Sequence, residues 1–592
     1  MGTLDIGSIM TLKARQALVM AVAWVAVVLS CLGANASCAI AEPTPPAIAA
    51  IWANTGEDKV TRHDLRAGTG RRVVNSVWDG TTIKLFGARN EVVSFNLLLE
   101  TGRRDAPDVS VKFDELHSVG GGVIQTRHAT RDDLWKFNGR NIELFYVRYL
   151  PIKGISTLTF NYWVESDSEL NLPTPLRRPH SADGKGAGGW RDRPGAGAFY
   201  PDIAVPLELH TPFRMPPLVS QSIWGDIFIP KNTPPGHYSG TIQVFEGRTL
   251  TRSIPLELTV GSFTLPDIPT ARTMLYVNPE EINRRYFGRE HLIEPAQIIR
   301  SRARVDLYFQ LAHRHKISLI TPYMPMRETR AAWADLLTGR LFTPGRGYDG
   351  VGIGVGNNVF SLGTYTTWPW TRADEQRFMI EAGNWMRMFA SVPIATPTTF
   401  LLYLLDESRN YETIQKWSSW LAVAHDPGKR LLSFATIPLP AARKRTPALM
   451  IPASTPDLTM QSPATGMGPQ SWQDALRFFQ KRPGGKVFLY NGSRPLSGTF
   501  AIEDDGIAPR EISWSQYKFN ISRWFYWEGT YYANSQYGAG DTNVFQSAHT
   551  YGKRERVDPV FGETGDNYDN GNGVLFYPGT DRIYAAESYD QP

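Results

Sequence analysis

The chain has 592 residues, of which 42% are apolar and 20% are charged, so it can bury large cores and does not have the composition of a disordered protein. This length predicts two domains or more. The 62 Lys and Arg residues nearly balance the 57 Asp and Glu residues, without a block of like charges, and this excludes an electrostatic footprint for nucleic acid. Aromatic residues make up 12%, which suits a sugar-binding protein and fits ordinary cores equally well.

The N-terminal segment 1–41 predicts a secretory signal. Lys13 and Arg15 precede an apolar stretch from Ala17 to Leu32, and small residues follow as far as Ala41. This stretch is shorter than the roughly 20 residues that span a bilayer, and no second one of its length follows. We therefore expect a secreted or periplasmic protein without a membrane span.

Both cysteines, Cys31 and Cys38, lie inside this signal. Cleavage after Ala41 leaves a chain without thiols, which excludes disulfides, a cysteine nucleophile and Cys-ligated zinc from the mature protein. The alternative is a lipid anchor on Cys31, because Val28-Leu29-Ser30-Cys31 loosely resembles a bacterial lipoprotein box.

Residues 42–264 are rich in strand-type patterns and predict an N-terminal β-sandwich domain. The clearest runs are Glu91–Leu99, Ser222–Ile229 and Tyr238–Val244, and turn residues punctuate them. The segment Pro173–Pro201 is rich in Gly, Arg and Pro and predicts a long surface loop. A domain boundary is expected near Leu265–Pro269.

Residues 265–592 alternate between strand and helix patterns. Pro295 opens a long helix in which Ile298, Val305, Phe309 and Ala312 recur at helical spacing. Roughly eight strand-helix units predict a (β/α)8 barrel, with a doubly wound open sheet as the alternative, because periodicity does not show closure. The predicted strands lie at 273–277, 318–323, 399–405, 431–436, 486–490 and 523–527, and further helices at 329–337, 373–390 and 412–424.

Two adjacent carboxylates, Asp406 and Glu407, directly follow the apolar strand Phe400–Leu405. Barrel enzymes carry their active sites at the C-terminal ends of the strands, so this pair is the first candidate for catalysis. The alternative is a helix cap, in which Asp406 or Ser408 caps the next helix and Glu407 complements its dipole. The predicted position on a barrel strand favours catalysis.

Other candidates lie around this pair. Glu503, in the cluster Glu503-Asp504-Asp505, is a possible second carboxylate or substrate contact, whereas Asp504 is expected in a solvated loop. Trp527, in an aromatic run at the final strand, is the best candidate for a sugar platform, and Tyr403 is expected to contact substrate beside the pair. No metal or cofactor motif is found: His313 and His315 lie two apart on a helix and so face different sides.

Several segments together resemble glycoside hydrolase family 123 and its relatives. Leu401–Ser408 resembles the strand that carries the Asp-Glu pair of that family, although Ser408 stands where Pro is usual. Arg89–Asn96, Trp224–Pro230 and Pro235–Gly240 resemble its N-terminal sandwich, and Asn570–Gly579 resembles its C-terminal signature. Relatives usually continue beyond this signature, so the chain is either naturally short or truncated after Pro592.

The resemblance implies an exported glycosidase that cleaves a β-linked N-acetylhexosamine, with N-acetylgalactosamine first among the substrates, by substrate-assisted retaining catalysis without a cofactor. Glu407 matches the acid/base of the family, and Asp406 matches the residue that stabilises the acetamido group. Both side chains reach one sugar only if the pleat of the strand breaks at its end. Two alternatives stay open: a two-carboxylate glycosidase that uses Glu407 and Glu503 on another glycan, and a non-catalytic carbohydrate-binding envelope protein.

Overall fold

The computed structural model describes residues 45–584 apart from the segments 131–132, 153–197, 395, 424–430, 456–468, 493–496, 533–541, 552–556, 559–561 and 564–568. The predicted signal, both cysteines and most of the predicted loop at 173–201 lie outside the described residues. The end of that loop prediction is wrong, because Phe199–Pro206 is a strand.

Strands before residue 265 form a five-stranded and a seven-stranded sheet, and their neighbours are antiparallel except for one parallel pair, β2 with β12. The first sheet has the order β1-β3-β10-β7-β8, and the second has β2-β12-β11-β4-β9 with β5 and β6 attached to β11. The strands are β1 Ile48–Asn54, β2 Ile83–Arg89, β3 Glu91–Thr101, β4 Ala106–Lys112, β5 Glu115–Ser118, β6 Val123–Gln125, β7 Ile142–Pro151, β8 Phe199–Pro206, β9 Phe213–Met215, β10 Ser220–Ile229, β11 Gly236–Glu246 and β12 Thr249–Thr264.

The apolar faces of the two sheets share one core. In β12, Ile254, Leu256, Leu258 and Val260 are buried at every second position, as a strand with one covered face requires. The three runs that predicted strands in this region fall inside β3, β10 and β11, which confirms them as strands.

Eight parallel strands follow, in the hydrogen-bonded order β14-β13-β20-β19-β18-β17-β16-β15, and helices separate them along the chain. The strands are β13 Arg272–Tyr276, β14 Ile317–Ile320, β15 Val359–Leu362, β16 Thr399–Tyr403, β17 Leu432–Thr436, β18 Ile451–Ser454, β19 Phe488–Tyr490 and β20 Arg523–Tyr526. The helices are α1 Pro279–Phe287, α2 Pro295–Arg314, α3 Met326–Leu337, α4 Glu375–Ala390, α5 Tyr411–Val423, α6 Leu439–Arg445, α7 Pro469–Lys481 and α8 Ala508–Phe519. The short pairs β21 His549–Tyr551 with β24 Asp569–Asn570, and β22 Val557–Asp558 with β23 Gly562–Glu563, follow the barrel.

The predicted barrel is therefore present and nearly closed, and the doubly wound alternative is wrong. Six of its strands were predicted, whereas β15 and β18 were missed. In α2, Val305, Phe309 and Ala312 are buried as expected, but Ile298 is 49% exposed, because the first turns of this helix lie away from the core.

A side-chain amide spans the gap in the barrel. β14 and β15 stand at the two ends of the hydrogen-bonded order. The Asn357 Nδ2 donates to the carbonyl of Leu319 in β14 at 3.0 Å and to that of Val359 in β15 at 2.7 Å. Asn357 is 1% exposed, and Leu319 and Val359 are fully buried. The amide thus takes the place of a missing strand-to-strand hydrogen bond.

A buried arginine joins the N-terminal sheets to the barrel. Arg314, the last residue of α2, donates to the Glu143 carboxylate of β7 at 2.6 Å and to the carbonyl of Arg140 at 2.5 Å. Its guanidinium also lies over the rings of Phe137 and Phe228. A charge this buried is stable only when it is paired, so the contact fixes α2 against β7.

We expect Asn357→Ala to lower the free energy of unfolding by about 1–3 kcal/mol, because the Leu319 carbonyl becomes a buried acceptor without this donor. Thermal unfolding of the two proteins measures the effect. Asn384→Ala, on the partly exposed surface of α4, is the matched control. Equal melting temperatures for the two variants would contradict a closing role for Asn357.

Candidate active site

The Asp406–Glu407 pair lies at the C-terminal mouth of the barrel. β16 ends at Tyr403, three residues before Asp406, so the pair stands on the turn that follows the strand. Both side chains are exposed. Glu407 has a φ of 42°, which L-residues adopt at a steric cost. The break in the pleat that would let neighbouring side chains act together is therefore present.

Two hydroxyl groups fix one oxygen of Asp406. The Tyr403 hydroxyl and the Thr436 Oγ1 each donate to Asp406 Oδ1 at 2.7 Å. Thr436 Oγ1 also accepts the backbone N–H of Glu407 at 2.6 Å. A single threonine at the end of β17 thus contacts both members of the pair.

Tyrosines line the mouth. Tyr276, Tyr403 and Tyr490 are the last residues of β13, β16 and β19, and their side chains lie in the barrel interior. Tyr490 is hydrogen-bonded to Glu407, and burial, followed by the charges of Asp406 and Glu407, holds the pKa of Tyr490 well above its usual range. Burial and the Asp406 charge likewise raise the pKa of Tyr403. Both phenols therefore stay neutral and act as hydrogen-bond donors to carboxylates.

Backbone strain is concentrated at the same edge. Tyr365 and Thr366, with φ of 59° and 62°, follow β15, and Asn491, with φ of 47°, follows β19. The Tyr365 hydroxyl donates to the Trp527 carbonyl, and Thr366 Oγ1 donates to the Leu404 carbonyl at 2.8 Å. Such strained positions persist only where their surroundings hold them, and they are typical of active sites.

Trp527 follows β20 and is half-buried at this mouth. Its Nε1 donates to Asn572 Oδ1 at 2.8 Å, and its backbone N–H donates to Asn491 Oδ1 at 3.2 Å. The centroid of the Tyr531 ring lies 5.1 Å from that of the Trp527 ring. Asn572 belongs to the predicted C-terminal signature, so that segment orients the indole; its role as a sugar platform stays a prediction.

Glu503 is 2% exposed and accepts a hydrogen bond from Asn570 Nδ2 at 3.1 Å. The expectation of a solvated Asp504 is wrong, because this side chain is fully buried. Its Oδ2 accepts from Thr499 Oγ1 at 2.6 Å and its Oδ1 from the N–H of Asp505 at 2.8 Å, so it stabilises its own loop. The role of Glu503 in catalysis stays a prediction.

Glu528, which the sequence reasoning missed, is a buried carboxyl beside Trp527. Its Oε1 accepts the backbone N–H groups of Gly529 at 2.9 Å and Thr530 at 2.8 Å, together with Thr530 Oγ1 at 2.8 Å. Burial raises the pKa of Glu528 to about 8, although these donors act in the opposite direction. Thr530 Oγ1 in turn accepts the N–H of Asn278, so this carboxyl connects the ends of β20 and β13.

Two further missed residues, Thr436 and Tyr490, share one sequence signal, their position at the end of a strand. Thr436 and Tyr490 are the last residues of strands that the sequence did predict. Applying the strand-end rule to every predicted strand, rather than to the acidic pair alone, would have found both. Tyr365 follows β15, which was not predicted, so no sequence signal pointed to it.

Within the described part of the chain, no three His, Cys, Asp or Glu side chains come together as a possible metal site. The ring of His313 stacks on that of Phe342 with 3.8 Å between their centroids, and its Nε2 lies 3.0 Å from the Gly352 carbonyl oxygen. His313 therefore packs against neighbouring protein groups. Of the helices in the described ranges, none is both long enough and apolar enough to cross a membrane.

The fold is similar to that of a family 123 glycoside hydrolase from Clostridium perfringens, whose structure was analysed for the details of glycolipid glycan hydrolysis. The TM-score is 0.55 at 12% sequence identity, and the match covers 89% of this chain and 83% of that one. At this identity the likeness shows the fold alone. No protein-family model and no curated protein matches the sequence.

Two further matches are glycoside hydrolases as well. A Bacteroides ovatus family 5 xyloglucanase matches with a TM-score of 0.24 at 8% identity, over 78% of this chain and 95% of that one. A family 39 glycoside hydrolase from Bacteroides cellulosilyticus matches with a TM-score of 0.19 at 10% identity, over 55% and 68% of the two chains. TM-scores this low carry no argument about this chain.

We expect Glu528→Gln to remove part of the pH dependence of stability. An unfolded glutamate titrates near pH 4.3, whereas folded Glu528 titrates near 8. Between these values the unfolded chain releases a proton that the folded chain keeps, so this contribution is complete at low pH and is lost as the pH rises through the window.

Melting temperatures measured from pH 4.5 to 8.5 test this expectation. The wild type should lose up to about 5 kcal/mol more stability across this range than Glu528→Gln does, because each pKa unit corresponds to about 1.4 kcal/mol. Glu412→Gln, an exposed glutamate in α5, is the control and should follow the wild type. Parallel curves for Glu528→Gln and the wild type would contradict the raised pKa.

Proposed function

We propose that this protein is an exported glycoside hydrolase that cleaves β-linked N-acetylhexosamine, with N-acetylgalactosamine first among the substrates, by substrate-assisted retaining catalysis. Glu407 is the acid/base and Asp406 orients and stabilises the 2-acetamido group. Residues 42–264 serve as a β-sandwich domain and residues 265–592 as the catalytic barrel. The proposal rests on the family resemblance and on the likeness of fold to the Clostridium perfringens enzyme.

The observation that carries the proposal is the hydrogen bonding of Asp406. Its Oδ1 accepts two protein hydroxyls, which hold the carboxylate in one orientation. Asp406 is exposed at the mouth, and its Oδ2 is the oxygen that we propose accepts the acetamido N–H. A fixed anion beside a developing positive charge stabilises the transition state without reorganising.

The proposed reaction then requires only one acid/base residue. The acetamido carbonyl oxygen attacks the anomeric carbon, the glycosidic C–O bond breaks, and Glu407 gives its proton to the leaving oxygen. The resulting bicyclic cation keeps its N–H on Asp406. Glu407 next takes a proton from water, which attacks the same carbon and reopens the ring with retention. A separate protein nucleophile is not needed.

The state of Glu503 fits this mechanism better than the two-carboxylate alternative. A nucleophile must contact the anomeric carbon, but Glu503 is 2% exposed and bonded to Asn570. A buried, paired carboxyl of this kind suits a positioning or structural role. Trp527 remains the proposed substrate contact. Tyr403 was expected to touch substrate as well, but it is 0% exposed and its hydroxyl donates to Asp406, so we propose that it acts through that carboxylate.

We expect Glu407→Gln to lower kcat by about 10²–10⁴-fold on substrates with poor leaving groups, because a positioned proton donor is lost. Asp406→Asn should be severely impaired on all N-acetyl substrates, because the cationic intermediate loses its anionic partner. A hydrolysis screen over nitrophenyl glycosides, glycolipid glycans and bacterial envelope polysaccharides measures both. Saturable glycan binding without turnover would favour the non-catalytic alternative.

Glu503→Gln separates the two glycosidase mechanisms. Under substrate assistance it should be nearly silent in kcat, and the enzyme should require the 2-acetamido group. Paired substrates that differ only in a 2-acetamido or a 2-hydroxyl group provide the measurement. Full activity on the 2-hydroxyl sugar, together with a collapse on Glu503→Gln, would falsify substrate assistance.

A further inference from the structure

We infer that Thr436 is a positioning residue of the active site, whose single hydroxyl sets both the turn at Glu407 and the carboxylate orientation of Asp406. The inference rests on the proposed function for its catalytic meaning. Its geometric content depends only on the contacts of Thr436, which can be tested without substrate.

The direction of the hydrogen bonds follows from which groups can donate. The backbone N–H of Glu407 is an obligate donor, so Thr436 Oγ1 accepts at this 2.6 Å contact. The one hydroxyl hydrogen of Thr436 is then available for Asp406 Oδ1, 2.7 Å away. The proton of Tyr403 is directed at the same oxygen. Oδ1 therefore accepts two hydrogen bonds from the protein, which leaves Oδ2 as the oxygen proposed to bind a ligand.

The surroundings of Thr436 hold its hydroxyl in a fixed position for these hydrogen bonds. It is the last residue of β17, is 1% exposed and, being β-branched, has a restricted χ1. β17 pairs with β16 up to Tyr403 and Phe434, and the N–H of Leu404 donates to the Phe434 carbonyl at 2.8 Å. The Thr436 hydroxyl therefore lies at the end of β17, the strand adjacent to β16, which the acidic pair follows.

The turn needs such support. Glu407 is held at a φ of 42°, a conformation that a free glutamate avoids. The bond from its N–H to Thr436 stabilises that conformation locally. Loss of the hydroxyl should let the turn relax, move the Glu407 carboxyl away from Tyr490 and leave Asp406 with one hydroxyl donor.

The first arm of the experiment uses hydrogen exchange of the full-length protein without ligand. Thr436→Val keeps the shape and removes the hydroxyl, whereas Thr436→Ser keeps the hydroxyl. Mass spectrometry of the peptide that covers residues 404–409 should show exchange at least about fivefold faster in Thr436→Val and near the wild-type rate in Thr436→Ser. Thr446→Val, a fully buried threonine at the end of α6, is the matched control and should not change this peptide.

The second arm uses the substrate found in the hydrolysis screen. Thr436→Val should lower kcat by about 10- to 100-fold with KM changed by less than about threefold, whereas Thr436→Ser and Thr446→Val keep most of the activity. A purely structural role would lower melting temperature and leave kcat of the folded fraction unchanged. Unchanged exchange at 404–409, or unchanged kcat in Thr436→Val, overturns the inference. A wild type that turns over no glycoside overturns the proposed function, and the exchange arm then decides the geometry of Thr436 alone.

Discussion

The candidate site depends on one constraint: the proposed function requires two neighbouring acids to reach a single ligand, although side chains alternate along the strand that precedes them. The chain satisfies this constraint because β16 ends at Tyr403 and the backbone then turns at Glu407, which has a φ of 42°. This turn is held from outside by Thr436, which bonds the Glu407 N–H and the Asp406 carboxylate together. Parallel strands make this possible, because their C-terminal ends meet at one edge.

The barrel and the acidic pair could be predicted because both depend on local patterns: apolar runs, helical periodicity and a carboxylate pair after a buried strand. The strand-end rule would have placed Thr436 and Tyr490 at the mouth, but not their contacts with the pair, because these contacts depend on the register between strands. β15 was missed because Val359–Leu362 is four residues long and follows a glycine-rich segment without strand character. Asp504 illustrates the same limit, because the sequence showed its charge but not the Thr499 hydroxyl that pairs with it.

The C-terminal segment acts on the mouth from a distance along the chain. Asn572 accepts hydrogen bonds from the Trp527 indole and from the Tyr526 hydroxyl at 3.0 Å. The Gly529 carbonyl accepts the N–H groups of Leu575 and Phe576, next to the Glu528 carboxyl. Farther on, Asp581 pairs with Arg285 of α1 at 2.8 Å, and both side chains are fully buried. These contacts connect the polar, glycine-containing segment 570–579 to the candidate site.

The exposed and the buried carboxyl groups near the mouth have different surroundings, which suit different roles. Asp406 and Glu407 are exposed and touched by hydroxyl groups, so they can exchange partners with a ligand. Glu503 and Glu528 are buried and bonded to Asn570 and to the turn at Thr530, so a change of partner would leave unpaired polar atoms behind. The proposed proton transfer therefore suits the exposed pair better than the buried acids. The buried acids instead hold in place the segments that carry Asn572 and Trp527.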